Sequence, residues 1–525
     1  MIDTGSVCRS LQFLVLLGVA PLAFALSPAR FVERAVPSHA YTGGWHHFVG
    51  GGVAAFDCDG DHFPELFIAG GESPATLWHN RTGERGGVLR FEASTPSALS
   101  LTAVTGAYPL DIDSDGLLDL VVLRAGPDAL LRGLGDCRFE AASDGLGFES
   151  PDLWSTAFSA TFEAGNALPT LAVGTYVDRA HPDGPFGQCS DTLLYRPEAG
   201  RYGAPEALSP GFCALSMLFT DWSRSGRADL RVSNDRHYYV RGGAEQLWAM
   251  EEVPRLYQEA EGWQRYQLWG MGIASRDLNG DGYSDVMLTS MGDQKLQYFD
   301  LDRGGPVYRN APFERGTSAH RPYTGGDGRP STGWHAAFGD AQNDGLDDLF
   351  IAKGNVDQMP DAALKDPNNL LLQTGDGQFV ESGAEAGVAS LARGRGAAFV
   401  DFNRDGLLDL VVVNRRAPVE VYENRSAGGA WLEVQLAQSG LNPAAVGAYV
   451  EVRNGERIWT REVTIGGGHA SGDASPLHFG LGRAESVEMR VIWPDQQAST
   501  WHRVASRQSV RVERAEPDGL VLTDY

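Results

Sequence analysis

Six times along the chain, oxygen-bearing side chains stand at the first, third, fifth and ninth positions of a nine-residue run. The full copies are Asp57, Asp59, Asp61 and Glu65; Asp111, Asp113, Asp115 and Asp119; Asp277, Asn279, Asp281 and Asp285; Asp340, Gln342, Asp344 and Asp348; and Asp401, Asn403, Asp405 and Asp409. A thinner copy is Asp221, Ser223, Ser225 and Asp229. Carboxylates this close repel one another unless a cation offsets them. Calcium takes six to eight oxygens at about 2.3–2.6 Å, and alternate side chains of a tight loop converge on such an ion. The seventh-position carbonyl adds a ligand, at Phe63, Leu117, Tyr283, Leu346 and Leu407, and at Arg227 in the thin copy. Glycine at position six (Gly116, Gly282, Gly345, Gly406) suits a left-handed turn, and His62 replaces it in the first copy. The pattern predicts five strong calcium sites and one weak one.

An EF-hand is excluded. Its loop needs Glu at position twelve, where this chain has Ile68, Val122, Leu288, Ile351 and Val412. Each loop instead runs into a strand-like segment, such as 118–123 or 408–413.

Spacing then sets the architecture. Successive first positions lie 54, 110, 56, 63 and 61 residues apart. The 110-residue gap holds two repeats, so residues 156–176 supply one without the acid pattern, and the expected total is seven. Phe91-Glu92-Ala93, Phe139-Glu140-Ala141 and Phe379-Val380-Glu381 mark a further strand in each repeat, with looser versions near Tyr202, Tyr257 and Phe313. The copy missing after Tyr422 stands at the N-terminus as Phe31-Val32-Glu33, which predicts a ring closed by the N-terminal strand. The expectation is an all-β chain: a seven-bladed β-propeller over 26–427, a β-sandwich-like domain over 428–516 and a tail over 517–525.

The net charge of −25 and the lack of a basic stripe argue against nucleic-acid binding. Arg9, the apolar run 11–26 and Ala23-Phe24-Ala25 predict a secretory signal over residues 1–25, and the later sequence holds no stretch apolar enough to span a membrane. The expected location is secreted or periplasmic. Removal of the signal leaves four cysteines. Cys189–Cys213 is the preferred disulfide because it closes a short loop; Cys58–Cys137 follows by elimination, and four buried thiols are the alternative.

The Asp-rich loops in these repeats resemble the FG-GAP repeats of integrin α-chain propellers. Asn442-Pro443-Ala444-Ala445-Val446-Gly447-Ala448, Gly466-Gly467-Gly468, Leu477-His478-Phe479-Gly480-Leu481-Gly482 and Val491-Ile492-Trp493-Pro494 resemble the ASPIC/UnbV domain of the cartilage acidic protein family. One departure is His469-Ala470, where that family usually has an aromatic. The resemblance implies an extracytoplasmic, calcium-binding, adhesion-like protein and no established reaction.

A ligand of a propeller is expected where loops of several blades converge, here on the face opposite the acid loops. That face is expected to display His46, Asp178, Arg179, His181, Asp235, Arg236, His237, Trp334, His335 and Asp357. Converging His, Asp and Arg suit an anionic or sugar-like ligand, or a metal. Neither Gly-x-Ser-x-Gly nor His-Glu-x-x-His is present, so no residue is assigned a catalytic role. The leading reading is a calcium-stabilised module for an extracytoplasmic protein or glycan. The alternatives are an enzyme using this loop face and a scaffold assembling through the C-terminal domain.

Overall fold

The computed structural model describes residues 1, 28–181, 187–235, 243–318, 321–324, 326, 328–515 and 519–525. Residues 2–25 of the expected signal segment, Arg236 and His237 lie outside these residues.

The chain is nearly all strand. Among the described residues, seven antiparallel sheets of one kind follow each other in sequence. Each begins with an inner strand: Val53–Phe56, Val104–Leu110, Ser155–Thr161, Ala214–Thr220, Gly270–Arg276, Gly333–Gly339 and Gly394–Val400. These strands neighbour one another in order, and the last returns to the first, so the sheets surround a common channel in a propeller-like ring. Three more strands step outward in each sheet. In the last sheet the outermost strand is Phe31–Glu33, which pairs Phe31 with Asn424 and Glu33 with Tyr422. The edge is therefore covered by the opposite end of the propeller sequence, which removes a free row of backbone donors and acceptors.

Apolar side chains of successive sheets interdigitate. Phe56, Leu66, Trp78 and Val122 share one such cluster, and Phe158, Leu171, Val173 and Tyr195 another. The third and fourth sheets end in Glu206–Leu208 and Arg255–Leu256, and the fifth in Tyr308–Asn310. This corrects the sequence placement of the outer strands at Tyr202 and Phe313. Tyr202 lies ahead of its strand as a buried anchor, with its hydroxyl on the Pro169 carbonyl. Phe313 sits exposed in a short 3-10 turn, and Tyr308 is the buried aromatic of that sheet.

The C-terminal part forms two further four-stranded sheets. One contains Ala430–Ala437, Leu477–Gly482, Gln508–Ala515 and Gly519–Asp524; the other contains Tyr449–Asn454, Arg457–Glu462, Ser486–Ile492 and His502–Ala505. Leu432, Val450, Phe479, Met489 and Trp493 share their core. Residues 519–524, expected as a tail, form an edge strand that pairs Ala515 with Gly519 and Val510 with Asp524. Alternation explains it: Leu520 and Leu522 pack on the core while Val521 is exposed.

Both disulfides are formed, Cys58 with Cys137 and Cys189 with Cys213. Among the described residues, no helix is long and apolar enough to cross a membrane.

Candidate metal loops and the docked C-terminal domain

Each acid loop links the first and second strands of its sheet. The first loop residue follows the inner strand, and the ninth opens the next strand, as in Asp119–Arg124 and Asp409–Asn414. All six loops share one backbone form, with left-handed residues at positions four and six and φ between 54° and 91°. His62 adopts this form at φ 67°, so the histidine keeps the turn that glycine makes elsewhere.

The first carboxylate of each loop gathers the turn's own N–H groups. Asp57 accepts from Gly60 and His62 at 2.7 and 2.9 Å, and Asp401 accepts from Asp405 and Gly406 at 3.2 and 2.6 Å. The ninth carboxylate ties the loop to the third strand. Asp119 accepts from Ile112 and Gly133, both at 2.8 Å; Asp409 accepts from Phe402 and Asn424 at 3.0 and 2.7 Å. Glu65, Asp285 and Asp348 repeat the arrangement. In two of the loops carboxylate oxygens converge: one oxygen each of Asp57, Asp59 and Asp61, and of Asp111, Asp113 and Asp115, lie within 4.8 Å of one another.

Burial and mutual repulsion push these acids up. Asp119 rises to about 7 and Asp285 and Glu65 to about 8, while Asp340, Asp348, Asp401 and Asp409 rise well above the carboxylate range. One Asp113 oxygen is buried with no hydrogen-bond partner. Arg132 reaches Asp113 and Asp115 at 2.9 and 2.8 Å, yet its side chain is 42% exposed. A hard divalent cation fits this donor set: acidic oxygens, a turn carbonyl and an unsatisfied buried lone pair.

The loop 221–229 is built differently. Both Asp229 oxygens are taken by protein donors: Trp222 Nε1 and Tyr257 hydroxyl at 2.8 Å, Met250 N–H at 2.9 Å and Arg227 Nε at 3.2 Å. Ser223 and Ser225 hydrogen-bond each other and Asp221.

All six loops touch the C-terminal domain. Tyr525 packs 4.7 Å from His62, and Asn442 N–H donates to Ser114. Tyr449 hydroxyl donates to the Asp221 carbonyl, and main chain at Ile458 runs beside Gly280. Trp459 Nε1 donates to the Gly345 carbonyl at 2.9 Å, and Arg461 grips Asp347 with two 2.9 Å hydrogen bonds. The Trp431 ring lies against Gly406, whose carbonyl also meets His478 Nε2 at 3.0 Å. Gly480, inside the Leu-His-Phe-Gly-Leu-Gly block, leaves room for Asp340: a Cβ there would lie 1.8 Å from its Oδ2. A cavity of about 470 Å³ remains between the inner strands and this domain, lined in part by His335, Arg461, Glu462 and His478.

From the domain a segment, residues 465–473, enters the channel. It bridges to Ala160, Leu218 and Ile273, and Gly472–Asp473 pairs in parallel with Ala54 and Ala55. His469 is fully buried at its centre. It accepts a hydrogen bond from Gly50 N–H at 3.2 Å, its Nδ1 lies 3.1 Å from the Met271 carbonyl, and its N–H donates to His335 Nδ1 at 3.0 Å. The sequence reading missed this segment. Its signal was the glycine in several inner strands: a Cβ on Gly52, Gly106 or Gly396 would lie 1.7, 2.1 or 2.4 Å from Ala470 or Ser471.

On the opposite face the expected residues divide. His46 is exposed in the turn Trp45–His47, 3.4 Å from an Arg179 nitrogen, and Arg179 also pairs with Asp152. Asp357 accepts from Arg393 at 3.0 Å and Arg416 at 3.2 Å. Asp178 accepts from Ala180 N–H within its own turn, and His181 lies half-buried nearby in sequence. Asp235 is buried with the Tyr176 hydroxyl on it.

Trp334 and His335 are corrected. They belong to the inner strand Gly333–Gly339, not to the loop before it, and both are buried in the channel wall against His469. Burial lowers His335 to about 4 and His469 to about 3, so both rings are neutral at pH 7.

Residues 438–518 match the family described as ASPIC and UnbV, and residues 57–122 and 355–412 match the FG-GAP-like repeat. Cartilage acidic protein 1 of Homo sapiens is 31% identical over 171 residues, 30% of this chain and 23% of that protein. The Xenopus tropicalis protein of the same name is 33% identical over the same shares. This chain thus spans about a quarter of the length of the curated relatives it matches. Among solved structures, a chain of the BBS1N–ARL6DN complex soaked with lead is 12% identical with a TM-score of 0.45, over 75% of this chain and 97% of that one. An Agrocybe aegerita lectin that recognises non-reducing terminal N-acetylglucosamine is 13% identical with a TM-score of 0.37, over 69% and 92%. The chain thus carries matches to an FG-GAP-like repeat followed by a match to ASPIC and UnbV, and it is similar over part of its length to cartilage acidic protein 1.

Proposed function

We propose that the five full loops hold calcium and that the ions fasten the C-terminal domain over one end of a seven-bladed propeller. The whole is an exported binding module whose other face meets a protein or glycan. The observation that carries this reading is the coincidence of acid loops and interface: every loop with clustered carboxylates is also a contact of the C-terminal domain.

The ligands would be the side-chain oxygens at positions one, three, five and nine with the position-seven carbonyls of Phe63, Leu117, Tyr283, Leu346 and Leu407. Bound calcium supplies positive charge that offsets the acids. The chain's own residues do the rest. The turn N–H groups orient the first carboxylate, the third strand orients the ninth, and Trp431 and Trp459 cover the loops from above. The thin loop 221–229 is assigned no ion, because each Asp229 oxygen already takes two protein donors, where each oxygen of Asp119 and Asp409 takes one. Two formed disulfides support an oxidising compartment, as export predicts.

The test is metal content together with thermal unfolding before and after chelation. A ligand at a hundred times its Kd stabilises by about 2.7 kcal/mol per site, so five sites contribute about 13 kcal/mol, comparable with the whole stability of a typical fold. Five calcium ions per chain and a melt lowered steeply by chelator are expected. A melt unchanged after the ions have been stripped would overturn the reading.

A further inference from the structure

We infer that the channel mouth opposite the acid loops binds the carboxylate or sulfate group of a short acidic oligosaccharide, an inference that rests on the binding-module reading above.

The chain carries −25 overall, yet four guanidiniums, those of Arg393, Arg395, Arg415 and Arg416, gather at this mouth. Asp357 is the carboxylate among them, and Glu72 stands nearby on the Gly44 N–H. Arg395 and Arg415 are buried, and their hydrogen bonds go to neutral carbonyls. Arg395 donates to Phe48 at 3.0 Å and Asn355 at 3.2 Å; Arg415 donates to Gly43 at 3.1 Å and Gly44 at 3.3 Å. Carbonyls satisfy the N–H groups and leave the charge. The Arg415 Nε is buried without a hydrogen-bond partner, 3.8 Å from the Asp357 carboxylate. Buried charge is costly without a counter-charge, and one Asp357 oxygen serves three guanidiniums here.

The outer pair is placed to meet a ligand. Arg393 and Arg416 side chains are 30% and 42% exposed and converge on the same Asp357 oxygen. A carboxylate or sulfate group beside that oxygen would meet two forked donors at once. The adjoining turn is rigid, because Arg415 and Arg416 hold the carbonyls of Gly43, Gly44 and His47. It presents Trp45, 37% exposed and packed 4.7 Å from Phe48, with His46 beside it. An exposed indole supplies an apolar face for a sugar ring. The net charge of −25 on the whole chain repels a long polyanion, so a short chain or chain end is the fitting ligand.

The test uses the full calcium-loaded chain, titrated with tetragalacturonate, neutral galactotetraose and inorganic sulfate. Tetragalacturonate should bind at least tenfold more tightly than either. The double change Arg393→Gln with Arg416→Gln should weaken it at least tenfold, while Arg138→Gln, a charge change elsewhere, should alter it less than twofold. Trp45→Ala should weaken the acidic sugar and leave sulfate binding as it is. No acidic-sugar binding, or equal binding by the double variant, would overturn the inference. Sulfate binding as tight as the sugar would also overturn it, by showing a free-anion site. Calcium content and melt are read on the same samples: if they behave as expected while the sugar fails, only this inference falls.

Discussion

Gly480→Ala tests the fastening of the C-terminal domain at a single atom. The added Cβ would lie 1.8 Å from Asp340 Oδ2, 2.5 Å from its Cγ and 2.9 Å from Asn343 Cα. Ordinary contact for such atoms begins near 3.4 Å, so a shift of more than an ångström is required. Asp340 has little freedom to give it, because it is buried and accepts from Asp344 at 3.0 Å and Gly345 at 2.6 Å. If the domain moves instead, it loses the hydrogen bonds of Gly482 to Asn343 at 2.9 Å and Gly429 to Gln342 at 2.8 Å. Overpacking costs about 1–3 kcal/mol, and two interface hydrogen bonds add about 0.5–1.5 kcal/mol each. The total is about 2–6 kcal/mol, or at least thirtyfold in affinity if the strain falls on calcium in that loop. Urea unfolding and calcium titration read it, with four tight ions expected in place of five. Gly375→Ala, where an added Cβ meets nothing within 4 Å, should stay within about 0.5 kcal/mol of wild type. A Gly480→Ala protein with wild-type midpoint and stoichiometry would refute the reasoning.

Other expectations concern the disulfides, a buried acid and the thin loop. Removing Cys58–Cys137 by double serine substitution should cost about 4–5 kcal/mol and removing Cys189–Cys213 about 3–4 kcal/mol, from separations of 79 and 24 residues; urea midpoints rank them. Burial raises Asp128 to about 7, opposed by hydrogen bonds from Ser155, Arg124 N–H and Ser150. The folded chain therefore holds this proton more tightly than the unfolded chain, whose value is near 4, so its contribution is full below pH 4 and lost as pH rises through 7. Relative to wild type at fixed calcium, Asp128→Asn should gain up to about 4 kcal/mol between pH 4 and pH 8, read from urea midpoints; a flat difference would contradict this. Asp229→Asn should leave five calcium ions bound by elemental analysis, whereas Asp409→Asn should leave four.

The acid loops were legible because their signal is local: nine residues define the turn, and the same residues supply its hydrogen bonds. Repeat spacing made the ring legible, and the outer-strand motif located Phe31–Glu33 beside Tyr422 and Asn424. The channel segment was not legible. Gly466, Gly467 and Gly468 stood in the sequence only as part of a family resemblance, but Gly468 is needed for a physical reason: a Cβ there would lie 2.2 Å from His335, 133 residues earlier. Long-range packing also turned Trp334 and His335 from expected rim residues into channel wall. Docking over the loops was equally hidden, since Trp431, Trp459 and Tyr525 find their partners only once both parts have folded.

Hydrogen exchange of residues 465–473, with and without calcium, tests the central claim most directly. Gly467, Gly468 and His469 donate their N–H groups to Met217, Ile273 and His335 inside the channel, at 2.7, 2.6 and 3.0 Å. If calcium fastens the domain, these amides are strongly protected in the loaded chain and exchange at least a hundredfold faster once the ions are stripped, a change of about 2.7 kcal/mol. Equal protection of these amides after complete removal of calcium would contradict the account.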